Sequence, residues 1–263
     1  RGRFHFGHDL ADRIVARVEP AEPASARLLC LAYAMRGYSL FRAGDPASVL
    51  ADAREAQARL PPFDVHDRGS VITHWLAWHC SSVGAVVMGD AERNASYARR
   101  ALAVAEAALA SDVTEPDRRV FTFLAGVNRQ LLVYAALQAG DLEAAERDIE
   151  ASRVLFDSID SHATTYAMHT HGQLLLAKGA YGEAAEVLRE GLARVREVRK
   201  PTEAANILAV LAQAEYGRGR LAEAEAVCDE AIRIAGDVGE VWLTTSSLAL
   251  KGRLALAREA RTE

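Results

Sequence analysis

Apolar side chains recur along this chain at helical spacing. Ala184, Val187, Leu188 and Leu192 fall at i, i+3, i+4 and i+8, which places them on one face of a helix. Leu208, Leu211 and Ala212 repeat the pattern, and Leu221, Ala224, Val227, Cys228, Ala231 and Ile232 repeat it again. No run of alternating β-branched residues and no Asn-Gly or Asp-Gly hairpin signal interrupts it. The pattern predicts helices over 8–18, 25–43, 46–60, 68–88, 91–110, 115–139, 142–157, 163–178, 181–198, 202–218, 221–236 and 239–258.

Glycines punctuate these helices at regular intervals. Gly44, Gly89, Gly140, Gly179 and Gly219 each stand between two helical patterns, separated by 45, 51, 39 and 40 residues. Glycine reaches the left-handed conformation that closes a helix at little cost. Asp45, Asp90 and Asp141 follow the first three, where a carboxylate accepts N–H bonds from the next helix. Pro46 suits a first helical position.

Three of these turns read Gly140-Asp-Leu-Glu-Ala-Ala145, Gly179-Ala-Tyr-Gly-Glu-Ala184 and Gly219-Arg-Leu-Ala-Glu-Ala224. A turn glycine, an aromatic or leucine two later and an alanine five later resemble the signature of the tetratricopeptide repeat. Gly37 and Gly172 stand seven before their turns, at the family's small residue of the first helix. Val49 and Asn94 replace the alanine in the two N-terminal repeats. The resemblance covers residues 25–258. It implies an all-α fold: a right-handed superhelix of antiparallel helix pairs, an α-solenoid of about five repeats plus a terminal helix. Residues 1–24 are then an N-terminal helix and linker, and 25–263 one continuous solenoid. Repeats of about forty residues resemble the sensor arm of MalT-like, LuxR-type bacterial transcription regulators. Neither the ATPase nor the helix-turn-helix of such proteins is legible here: no Gly-x-x-x-x-Gly-Lys-Ser/Thr loop and no basic recognition helix occurs.

In the tetratricopeptide family the first helix of each pair lines a concave groove, at positions 13, 10, 6, 3 and 2 before the turn glycine. The resemblance therefore implies a groove with Tyr38, His79, Gln130, Tyr134, Tyr166, His169, Gln173, Asn206, Gln213 and Tyr216 as its polar and aromatic groups. Amides and tyrosines bind a peptide backbone or a polyhydroxylated small molecule. They lack the lysines and arginines of a carboxylate clamp, with only Arg42 nearby. The same groups also serve as ordinary contacts between helices.

Composition narrows the remaining chemistry. The chain has 263 residues, 50% of them hydrophobic, and a net charge of −5, which suits a packed core and argues against nucleic-acid contact. Cys30, Cys80 and Cys228 are widely spaced, expected as small buried hydrophobes in a reducing compartment. No secretory signal is legible and apolar runs such as 83–88 are short, so the expected location is the cytoplasm, away from membranes. His74, Trp75, Trp78 and His79 form either a ligand-stacking box or an aromatic plug between repeats. His169 and His171, two apart on a helix, point about 200° from each other, and His162 lies further off, so no metal site is expected. Arg194, Arg196, Arg199 and Lys200 read as a helix end with favourable charge, and Asp148, Glu150, Asp157 and Asp160 as solvated surface. No nucleophile motif or cofactor loop is present, so catalysis and cofactors are not expected. The leading expectation is a module binding a protein segment or small effector within a bacterial transcription regulator. A structural or oligomerising scaffold is the alternative, through a homodimer or contact with other domains of a longer chain, and an enzyme on helical hairpins the remote one.

Overall fold

The computed structural model describes residues 2–18, 23–159 and 163–262. Among them are twelve helices and no strand: α1 (Gly2–Arg17), α2 (Pro23–Ala43), α3 (Pro46–Ala58), α4 (Arg68–Val87), α5 (Ala91–Leu109), α6 (Glu115–Ala139), α7 (Leu142–Ser158), α8 (Thr164–Ala177), α9 (Tyr181–Glu197), α10 (Pro201–Gly217), α11 (Leu221–Val238) and α12 (Val241–Thr262). Most ends lie within two residues of the sequence expectation. The first helix begins earlier and the last runs on to Thr262. His162, Asp160 and residues 19–22 of the expected linker lie outside the described residues, as does the Arg42 side chain.

Each turn glycine has the backbone its role requires. Gly44, Gly89, Gly140, Gly179 and Gly219 have φ between 71° and 82°, and Gly239 joins them at 79°. The amide after each glycine donates to the carbonyl five residues back: Asp141 to Ala136 at 2.9 Å, Ala180 to Leu175 at 2.9 Å, Arg220 to Glu215 at 3.0 Å. This bonding satisfies carbonyls the helix end would leave unpaired. Asp45, Asp90 and Asp141 accept from the amides of Ser48, Arg93 and Ala144, opening α3, α5 and α7.

One turn uses a residue unsuited to it. Arg199 closes α9 with φ 54°, the only positive value at a non-glycine among the described residues. Its successor Lys200 donates to Val195 at 3.2 Å, as at the glycine turns. A Cβ in this conformation costs about 1–2 kcal/mol. Arg199→Gly is therefore expected to stabilise the surrounding helices by about 0.5–1 kcal/mol, read as a higher denaturation midpoint. A lower midpoint would show that the arginine side chain contributes more than its backbone costs.

By contact the chain divides into two compact units, Arg1–Ser161 and His162–Glu263, so the stretch 25–263 expected as a single solenoid is described as two. Within each, every helix packs on its neighbours in sequence. Even-numbered helices also touch one another, α2 with α4 and α4 with α6 in the first unit, α8 with α10 and α10 with α12 in the second; among the described residues α3, α5 and α7 of the first unit do not, nor do α9 and α11 of the second. Contact restricted to the even series puts it on the inner side of each stack and the odd series outside.

Close pairing depends on small residues facing large ones. A Cβ on Gly172 of α8 would lie 2.6 Å from Leu188 of α9, and Gly191 of α9 sits between Met168 and Ile207. The first unit is built around Val71, Trp75, Leu102, Phe121 and Leu131, with fully buried Phe156 over Gly126. The second is built around Leu188, Val195, Ile207, Leu208 and Leu211. Helix α6 is long and apolar enough to cross a membrane by composition, unlike the short runs noted in the sequence. Two thirds of its most apolar window is buried in the first unit, as in a core helix.

Candidate functional site

The candidate groove residues divide between the units, each on an even-numbered helix of its own unit. In the first unit Tyr38 of α2 is the most open, 42% exposed, with its ring 6.2 Å from that of Phe41. Tyr134 of α6 packs half-buried against the apolar cluster, and burial raises its hydroxyl pKa well above the ordinary range. Around them Leu76, Val86 and Val127 are partly buried apolar groups. This inner face is apolar with two tyrosines, rather than amide-rich.

Two expected groove residues belong to the packing instead. His79 is buried, stacked at 4.3 Å on Trp75, with Nδ1 3.4 Å from Asn128 Oδ1 on α6. Burial pushes its imidazole down to about 4, so it is neutral at pH 7. Gln130 is buried and donates from Nε2 to Ser152 Oγ on α7. Both stand ten before their turn glycine, as does Ala209, which is also buried. The half-buried His169 stands at the same place in its own repeat.

The aromatic cluster on α4 is a plug. Trp75 is buried and donates from Nε1 to the Leu124 carbonyl at 3.2 Å. Trp78 stacks on Tyr97 of α5 at 6.1 Å, with the Arg100 guanidinium 4.6 Å from its ring. His74 lies edge-on to Phe63 and its Nδ1 is 2.9 Å from the Ser70 carbonyl oxygen. Each ring is filled on the protein side, which leaves no stacking slot.

The second unit keeps more of the expected chemistry in reach. On α8, the Tyr166 hydroxyl donates to Glu203 Oε1 of α10 at 3.0 Å, and burial lowers the His169 imidazole to about 4. Gln173 is half-buried, and its carboxamide oxygen has no hydrogen-bond partner. On α10, Asn206 and Tyr216 are half-buried; Gln213 is exposed, with Nε2 3.3 Å from the Ala209 carbonyl.

Helix α12 extends this face, which counting along the sequence misses. Counting back from turn glycines gives α12 no residues because Glu259 stands where a glycine would. The forty-residue register supplies them: Gln173, Gln213 and Arg253 are successive equivalents, as are Tyr166, Asn206 and Ser246. Trp242, Ser246, Ala249 and Arg253 are all exposed, at i, i+4, i+7 and i+11, one side of the helix. The inner face of this unit is therefore a ladder of two amides and an arginine, flanked by Tyr166, Tyr216 and Trp242.

The other charged groups are occupied locally. Arg194 pairs with Glu190 and Arg196 with Glu230, each at 2.7 Å. Glu150 and Asp157 hold Arg153 on the surface, as solvated groups do. Asp148 departs from the expectation of open surface: it is mostly shielded and pairs with Arg129 of α6 at 2.9 Å. Glu215, unremarked in the sequence, is fully buried on α10, with Arg189 and Arg218 on its carboxylate. The three cysteines are free and buried, and burial pushes the Cys30 and Cys80 thiols up to about 12. Among the described residues no group of three or more His, Cys, Asp or Glu could hold a metal ion.

Solved structures resemble this arrangement over most of its length. Aspartyl phosphate phosphatase F from Bacillus subtilis superposes with a TM-score of 0.62 at 14% identity, over 90% of this chain and 59% of its own. The chain thus spans about three fifths of that phosphatase. BtubC (BKLC) from P. vanneervenii superposes with a TM-score of 0.57 at 16% identity, over 90% of this chain and 93% of its own. No family model and no curated protein sequence matches the chain. At such identities the likeness shows a shared all-helical fold and leaves the chemistry to this chain's own side chains.

Proposed function

We propose that the chain is a binding module whose inner face in the second unit takes an extended protein segment or a small effector rich in hydrogen-bonding groups. The observation that carries this reading is the forty-residue ladder Gln173, Gln213 and Arg253 on the even helices α8, α10 and α12. The unpaired carboxamide oxygen of Gln173 supports it: a buried acceptor without a donor costs about 1–3 kcal/mol, which a rotated side chain bonded to a ligand N–H recovers. The exposed Trp242 adds a stacking surface and Arg253 a cation, so the preferred segment carries an acidic residue beside apolar ones. This is recognition rather than catalysis, and no cofactor takes part.

The setting we propose is the sensor or interaction region of a cytoplasmic bacterial transcription regulator, on the strength of the forty-residue period. A helix-turn-helix or a phosphate-binding ATPase region in the same coding sequence is the expected finding, and a complete coding sequence with neither would remove that setting.

The face itself is tested by calorimetric titration of a panel of extended peptides and oligosaccharides. Each neutral hydrogen bond contributes about 0.5–1.5 kcal/mol, so Gln173→Ala with Gln213→Ala should weaken binding by about tenfold or more. Thermal stability should not fall, because Gln213 is exposed and truncating Gln173 removes a buried acceptor that has no donor. Equal affinities for the wild type and the double variant would exclude this face as the site.

A further inference from the structure

Three guanidiniums converge on the buried carboxylate of Glu215. Arg189 of α9 donates from Nη2 to Oε1. Arg218 Nη1 lies 3.2 Å from Oε1 and 3.4 Å from Oε2, and Arg220 Nη1 stands 4.0 Å from Oε2. The fold does not require a carboxylate at this place. Glu215 stands four residues before its turn glycine, and the same position in the other repeats holds Leu40, Ala85, Ala136 and Leu175. An ion pair buried where an apolar side chain would fit adds little net stability. Its effect here is on position: the anion beneath holds together three cations that would otherwise repel one another.

The turn has also changed sign. The residue after the turn glycine is Asp45, Asp90 or Asp141 in the first unit, and each caps the next helix. Its counterpart here is Arg220, and α11 opens without a side-chain cap.

The arginines keep capacity to spare. Each guanidinium has five N–H donors, whereas a carboxylate accepts about four hydrogen bonds. Three cations against one anion leave two positive charges uncompensated. The Arg189 and Arg220 side chains are each 48% exposed, so their free donors reach solvent beside the buried Glu215. Neighbouring acids do not take up the surplus. Glu190 pairs with Arg194 and Glu225 with Arg258. Glu186 and Glu223 are exposed and, among the described residues, pair with none of the three. The cluster sits inside its unit, since α9 packs on both α8 and α10, and α10 on α11.

We propose that Arg189, Arg218 and Arg220, positioned by Glu215, bind a phosphate dianion, carried by a phosphorylated side chain of a protein segment or by a free phosphate monoester. The planar forks match phosphate oxygens, and the uncompensated charge equals that of the dianion. Glu215 is two residues from Gln213 on α10, about 200° around the helix. The cluster therefore lies away from the inner-face ladder, and the inference does not depend on what that face binds.

Calorimetric titration at fixed ionic strength tests it with three probes: inorganic phosphate, a phosphoserine peptide and the same peptide unphosphorylated. One-to-one binding of inorganic phosphate and of the phosphopeptide is expected, with the unphosphorylated peptide much weaker. A phosphopeptide that binds more tightly than inorganic phosphate assigns the group to a protein segment, and equal affinities assign it to a free monoester. Arg220→Asn removes one cation and gives α11 a capping side chain. Phosphate affinity should then fall by about tenfold or more, while the denaturation midpoint holds or rises. Arg189→Lys keeps a charge opposite Glu215 but loses the fork, and should weaken phosphate severalfold at unchanged stability. Arg253→Gln, on the inner face, should leave phosphate affinity as it is. No saturable phosphate binding, or equal affinity for the two peptides, would overturn the inference. So would an affinity that both arginine variants leave intact. A loss with Arg253→Gln rather than Arg220→Asn would move the phosphate to the inner face and equally overturn it.

Discussion

Leu188→Ala should lower the stability of the second unit by about 3 kcal/mol, since truncating a fully buried leucine costs both transfer energy and a cavity. Leu188 is 0% exposed and faces Gly172 across the α8–α9 pair. Gly172→Ala should also destabilise, by about 2 kcal/mol, because its Cβ would lie 2.6 Å from a Leu188 methyl in a packed interface. The two changes should compensate. In the double variant the new Cβ occupies space the leucine has vacated, so the cost should fall short of the sum by about 1–2 kcal/mol. Hydrogen exchange of α8–α10 amides reads the effect where it arises, because stability in a stacked array is local. Additive costs, or a neutral Gly172→Ala, would mean that this contact does not set the spacing of the pair.

The second large effect is a loss of stability in acid carried by His79. Burial depresses its pKa in the folded chain to about 4, from the ordinary imidazole value of 6.5. Between those two values the unfolded chain binds a proton that the folded chain excludes, so stability falls as pH falls. The contribution is intact above about pH 6.5 and is lost progressively towards pH 4. A tenfold change in proton affinity is worth about 1.4 kcal/mol, which makes the full effect about 3 kcal/mol. His79→Gln keeps a neutral hydrogen-bonding group near Asn128 and should flatten this part of the pH profile while lowering stability at pH 7, where the Trp75 stack is lost. Carboxylates common to both proteins cancel in the comparison. An identical profile for the variant would show that His79 takes up its proton without unfolding the first unit.

The groove is only partly legible in the sequence, for a reason particular residues make plain. Counting along a helix assigns His79, Gln130 and Gln213 to it alike, and helical spacing fixes direction but not depth. His79 and Gln130 point where Asn128 and Ser152 already stand, whereas Gln213 meets open solvent. Arg253 and Trp242 escape that count because α12 lacks the turn glycine that indexes the other repeats. The forty-residue interval is present in the sequence and would find them.

The sequence by itself determined the helices and most of their ends, though not the start of α1 or the end of α12. These are local matters: a glycine that tolerates positive φ, an aspartate that caps the next helix, and apolar residues every three or four positions each act within a few residues of their own. Which polar side chains are consumed by packing and which remain open were decided only by the tertiary structure. Those outcomes depend on what a neighbouring helix, distant in sequence, places against each position, as Leu188 does at Gly172.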